Sequence, residues 1–181
     1  MLNIGFPKAI RQSFQTNMSL LKSKLNDLSV GIFSAEVGAR QWMHADKNGS
    51  YLIWKIGKKK NDELLFIQNG ELVSYFSIHR SGKKGKVNWQ FGDSEAAELI
   101  YQDIINVQNT TSKNFKAAQQ VYLYTTDGNM KEVKFFHSLE LENITLLNPL
   151  SVLETADEEK VHEYNSLPLA ETGNSFRGID V

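Results

Sequence analysis

Six positions in two short turns have the residue types to hold an anion. Gly57, Lys58 and Lys59 open the turn "GKKKND" directly after the apolar run "YLIWKI". Thr126, Asp127 and Gly128 follow a second apolar run, "VYLYT". A glycine lets backbone approach a phosphate closely, and lysines supply positive charge beside it. Lys60, Lys83, Lys84 and Lys86, with Arg80, extend the first turn into a local basic patch on a chain of formal net charge -1. The competing reading is simpler. Lysine is common in exposed turns because its ammonium is well hydrated, and edge lysines discourage strand-to-strand aggregation. A run of charge is a weak motif, and the solvated turn outweighs the specific anion site by roughly two to one.

Other chemistry has less support. With no cysteine, thiol catalysis, disulfides and thiolate metal sites are excluded. His44, His79, His137 and His162 are scattered without the paired spacing of a metal site. A two-metal nuclease needs several converging carboxylates, and "YLIWKI" carries none, so Asp127 with Glu95 or Glu98 falls short of a ligand set. Trp42, Trp54 and Trp89 read as core or interface area, with Trp89 in its basic loop a candidate binding anchor.

The elements that position the two turns follow from periodicity. "PKAIRQSFQTNMSLLKSKLNDL" is amphipathic, with Ile10, Phe14, Leu21, Leu25 and Leu28 at helical spacing and Pro7 in the first turn. "SVGIF" reads as a short strand, and "SAEVGARQWMH" as a helix capped by Ser34. "YLIWKI", "ELLFIQ" and "ELVSYFSIH" read as three antiparallel strands, the last two joined at Asn69-Gly70, a strong hairpin signal. "RSGKKGKVNWQFG" reads as a loop. "DSEAAELIYQDIINVQN" is a helix capped by Asp93 or Ser94, with Ala97, Ile100, Ile104 and Val107 or Gln108 on one face. Strand "QQVYLYT", helix "NMKEVKFFHSLEL", strand "NITLL" and helix "ADEEKVHEYNSL" complete the order.

Three meandering strands followed by alternating helix and strand are the order of an α/β layer of the ribonuclease H-like kind. A doubly wound Rossmann sheet would place helices between its first strands. The expected organisation is a helix-strand-helix segment over residues 1–49 and an α/β domain over 50–181. First and third strands then run parallel, so both lysine turns, the "TTDGN" turn and the capped start of the long helix all open on one sheet edge. That is where α/β sheets bind ligands.

"LLKSKLNDLSVGIFSAEVGARQW", "YLIWKIG", "VYLYTTDG", "ITLLNPLSVLE" and "LPLAETGNSFRGIDV" together resemble the second half of an actin-like ATPase. The nearest likeness is to the type IV pilus assembly PilM proteins and the cell-division FtsA proteins. "LLNPL" and "LAETGNSFRGID" carry it most specifically. The resemblance implies ATP as cofactor, with the phosphates near Gly57, Lys58 and Lys59 and the base near Thr126 to Gly128. It also marks two departures. Where the family has the Asp that helps hold hydrated magnesium, this chain has Lys55, whose charge repels the ion. Where the family has paired glycines, Thr126-Asp127-Gly128 keeps one.

The expectation is therefore a non-catalytic actin-like domain that acts through a protein partner, with self-association as a further mode and no resident cofactor. A nucleotide- or phosphate-binding protein is the alternative. A nucleic-acid module using the lysine loops is the third reading, and the near-neutral charge argues against it. The opening lacks the continuous apolar segment of a signal peptide and no stretch is long enough to span a bilayer, so the expected setting is the cytoplasm, without membrane insertion.

Overall fold

The computed structural model describes residues 7–20, 31–81, 84–126, 130–139, 141–148 and 170–172. The chain divides into two compact units at residues 30 and 31. In the first, α1 (Lys8–Leu20) starts immediately after Pro7, whose carbonyl accepts from the N–H groups of Ile10 and Arg11. The remainder of the helix expected there, and the helix expected at "ADEEKVHEYNSL", lie outside the described residues.

The second unit begins with α2 (Gly31–Trp42). This corrects the strand expected at "SVGIF" and the cap expected at Ser34. Gly31 to Phe33 are already helical, and Ser34 is a buried interior residue. The burial of Ile32, Ala35 and Ala39 at helical spacing outweighs the β-branched character of the short run.

Among the described residues six strands form one mixed sheet: β1 (Ser50–Lys55), β2 (Asn61–Gln68), β3 (Glu71–Ser81), β4 (Lys84–Gly92), β5 (Gln120–Tyr124) and β6 (Ile144–Leu146). Their spatial order is β4-β3-β2-β1-β5-β6. β1 to β4 are an antiparallel meander, while β5 runs parallel to β1 and β6 parallel to β5. Asn69 and Gly70 both take positive φ, 52° and 77°, as the two-residue turn between β2 and β3 requires. β4 replaces the loop expected at "RSGKKGKVNWQFG". It carries the chain back across the sheet, so α3 (Ser94–Gln108) starts at the edge opposite the lysine turns, and the N–H of Asp93 bonds the Val73 carbonyl. That corrects the expected position of the helix start. The Asp93 cap itself is present, its carboxylate accepting from the N–H groups of Glu95 and Ala96.

Alternation along the strands separates two faces. Leu52, Trp54, Leu64, Phe66, Phe76, Ile78, Val121 and Leu123 pack with Ala97, Ile100 and Ile104 of α3 and with Val133 and Phe136 of α4 (Met130–Ser138). On the other face α2 lies against β1 and β2. Tyr51 donates its hydroxyl to Glu36 there, and Phe33 meets Tyr75 edge to face. No helix among the described residues is long and apolar enough to cross a membrane.

Candidate functional site

The turn after β1 folds tightly. Lys58–Lys60 form a single 3-10 turn, with Lys59 and Lys60 at φ 52° and 62°. Gly57 is required by close approach, since a Cβ there would lie 1.8 Å from the Asn61 carbonyl oxygen. All three lysines are exposed. β1 and β5 continue together past their last ladder pair: the N–H of Ile56 bonds the Tyr124 carbonyl at 2.8 Å, and the Thr125 hydroxyl bonds the Ile56 carbonyl at 2.9 Å. Gly57 and Thr126 are each the next residue beyond that link. Asp127, Gly128 and Lys83 lie outside the described residues. Asn61 pairs with His79 and Ser81 with Lys84, so the lysine turn and the junction of β3 with β4 share one edge of the sheet.

At this edge two charge clusters stand on opposite faces. On the α4 face, Asp62 is wholly buried and Arg80 nearly so. The Asp62 carboxylate accepts from Arg80 Nε at 2.5 Å and Nη2 at 3.2 Å, from Trp54 Nε1 at 2.8 Å and from the Gly57 N–H at 3.2 Å. Arg80 also pairs with Glu132 at the start of α4, and its guanidinium lies 5.3 Å from the centre of the Phe136 ring. Burial pushes the Asp62 carboxyl above the usual carboxylate range, while Arg80, Trp54 and Gly57 pull it part of the way back. Burial also opposes the Arg80 charge, but Asp62 and Glu132 outweigh it and hold the guanidinium above its ordinary value. Arg80 therefore does not belong to the surface basic patch expected from sequence. It neutralises an acid inside the protein.

On the α2 face, Lys55 is partly buried at the end of β1 and lies 2.9 Å from Glu171 Oε1 and 3.8 Å from Glu63 Oε1. Tyr124 donates its hydroxyl to Glu171 at 3.0 Å, and Tyr75 donates to Glu63 at 3.2 Å. Burial, with the neighbouring carboxylates, raises both phenols above their usual value, so they remain neutral donors. A Cβ on Gly31 would collide with the Glu171 carboxylate, which places that acid at the start of α2, where the helix dipole favours negative charge.

The chemistry available at this edge is thus binding by exposed lysines beside two clusters, each holding one cation between two carboxylates. Among the described residues no three His, Asp or Glu side chains converge as a metal site would require. His79 Nδ1 lies 2.9 Å from Asn61 Oδ1, within hydrogen-bond reach. Two grooves lie towards the opposite edge. One of about 410 Å³ has Phe33, Leu65, Ile67 and Leu72 for walls and Arg40 and Glu36 at its rim. The other, about 370 Å³, lies beside Phe115, Lys116 and Asn143.

Asp62, Glu63, Glu132 and Glu171 were absent from the sequence-based candidates. "ND" after three lysines reads as turn chemistry, and the one signal that β2 starts there is the acid's period-two spacing from Leu64 and Phe66. No protein-family model matches the chain, and no curated protein matches it significantly.

Proposed function

We propose that this chain is a non-catalytic domain of ribonuclease H-like, actin-like architecture that works in the cytoplasm by binding a protein partner. The observation that carries the reading is Lys55. Its ammonium stands where the resembled family has a metal-holding carboxylate, and it is tied to Glu171 and Glu63. An ammonium held there by two carboxylates repels magnesium. The meander, the later β5-α4-β6 alternation and the parallel placing of β5 beside β1 support the architecture, with β4 as an added strand.

The alternative, a nucleotide- or phosphate-binding protein, draws on Gly57, Lys58 and Lys59. A phosphate cradle uses free backbone N–H groups, whereas the Gly57 N–H is engaged by Asp62. Nucleic-acid binding loses one of its expected cations with Arg80 buried.

The test is a coupled ATPase assay on the purified chain with and without magnesium, beside a thermal-shift titration with ATP and ADP. The proposal expects no turnover and no shift. Magnesium-dependent hydrolysis that disappears in Asp127→Ala refutes it. Saturating nucleotide at about 100 times its dissociation constant would add roughly 2.7 kcal/mol, and a shift of that size without turnover would favour the nucleotide-binding reading.

A further inference from the structure

The two strands that bound the sheet offer different things to a neighbour. β6 is three residues long, while β4 runs nine residues and no described strand lies beyond it. An edge strand turns alternate N–H and C=O groups away from its own sheet, where they template a further strand. β4 carries Lys84 and Lys86 and no acid. Trp89 is 44% exposed, although its ring is held edge-on against Tyr75 with centroids 4.6 Å apart. A tryptophan fixed by packing on one side and open on the other loses little freedom on binding and is the common type of interface anchor. Val87 and Phe91 beside it are partly buried.

Two features select the kind of strand that fits. The register shift opposite Ser77 and Ile78 leaves Asn88 extra in the ladder, a bulge that twists the edge away from flat pairing. A second copy of β4 would bring both sets of lysines onto one ladder with no acid to offset them. An acidic strand meets the opposite charge instead.

The geometry points to β4 as the docking edge for an extended, acidic segment of a partner protein, which adds as a seventh strand with a carboxylate near Lys86 and an apolar side chain on Trp89. This rests on the partner-binding reading above and names the partner's chemistry.

The experiment uses the full chain and a short labelled peptide of repeating Glu-Thr-Val-Thr, which puts glutamate and valine in turn on the face shared by Lys86 and Trp89, beside a peptide with lysine in place of glutamate. Binding is followed by fluorescence anisotropy and by amide exchange. The acidic peptide is expected to bind, less tightly as salt rises, and to slow exchange in residues 84–92. Lys86→Glu and Trp89→Ala should each weaken it by about tenfold or more. Circular dichroism checks that both variants stay folded, and Lys86, exposed in the free protein, is the safer of the two positions.

Equal binding of both peptides, binding of neither, or protection confined to other strands overturns the proposal. A concentration-dependent dimer in sedimentation that Trp89→Ala disperses also overturns it, in favour of self-pairing. Peptide binding that ignores both substitutions removes the β4 site while leaving the partner-binding reading intact. Magnesium-dependent ATP turnover would remove that reading while leaving the peptide result untouched.

Discussion

Replacing Arg80 with methionine tests whether the internal pair on the α4 face is organised as described. Methionine keeps an apolar stem but removes both bonds to Asp62, the contact with Glu132 and the charge near Phe136. Asp62, wholly buried, then keeps the N–H groups of Trp54 and Gly57 alone. Breaking a buried pair by removing one partner costs about 3–5 kcal/mol. For a chain of this size each kcal/mol moves the midpoint by roughly 2–4 °C, so a fall of roughly 6–20 °C is expected. Urea unfolding followed by circular dichroism measures the free energy directly. The double variant Asp62→Asn with Arg80→Met should recover at least about 1 kcal/mol of that loss, because the stranded charge is gone while Trp54 keeps an acceptor. The sign with pH follows from the raised carboxyl. Without Arg80 less opposes burial, and the folded pKa of Asp62 rises further. A carboxyl raised on folding contributes stability that is fully present below its unfolded value and is lost as pH rises through its folded value. The single variant's deficit should therefore be smaller at about pH 5 than at about pH 8. A loss under about 1 kcal/mol, a deficit that grows on acidification, or a double variant as weak as the sum of the singles would refute the reasoning.

Lys55→Met should cost about 1 kcal/mol in thermal unfolding, kept small because Glu171 and Glu63 are partly exposed and screened; a gain in stability would show the ammonium is not paired in solution. Gly57→Ala should lose about 1–3 kcal/mol in urea titration, since the new Cβ has to displace the Asn61 carbonyl, and an unchanged midpoint would contradict the tight turn. Asp93→Ala should lose about 1 kcal/mol and speed amide exchange at Glu95 and Ala96, whose N–H groups the carboxylate caps; unaltered exchange there would count against the cap.

The parts of the fold legible in the sequence were those with local causes. Asn69-Gly70 fixed a hairpin through backbone conformations that few other residues adopt readily, and Asp93 marked a helix start through bonds within three residues. β4 was hidden because the glycines and lysines of "SGKKGK" read as a loop and outweighed the alternation of Val87, Trp89 and Phe91 that follows them. That omission then misplaced the start of α3, since one missing strand reverses the chain's direction across the sheet. The Asp62–Arg80 pair was hidden for a different reason. Its members are 18 residues apart, and their meeting depends on the register of β2 against β3, including the irregularity at Phe66 and Ile67. Of the six anion-site candidates, Gly57, Lys58, Lys59 and Thr126 fall at the ends of β1 and β5 as strand order alone would place them. The acids that determine the charge beneath them come from β2, α4 and the turn at Ala170–Thr172, outside any local window.

β1 also sets an order of assembly. The Trp54–Asp62 bond that joins it to β2 spans eight residues, whereas the Ser50–Gln119 bond beside β5 spans 69. Closing the longer loop costs about 2 kcal/mol more in chain entropy. Loop closure therefore favours forming the meander ahead of β5, which also follows it in the chain. Until β5 arrives, "YLIWK" lies along an unpaired edge with Tyr51 to Trp54 apolar throughout. The strand at the centre of the finished sheet is thus an apolar open edge in the nascent one, and the docking of β5 is the step that covers it.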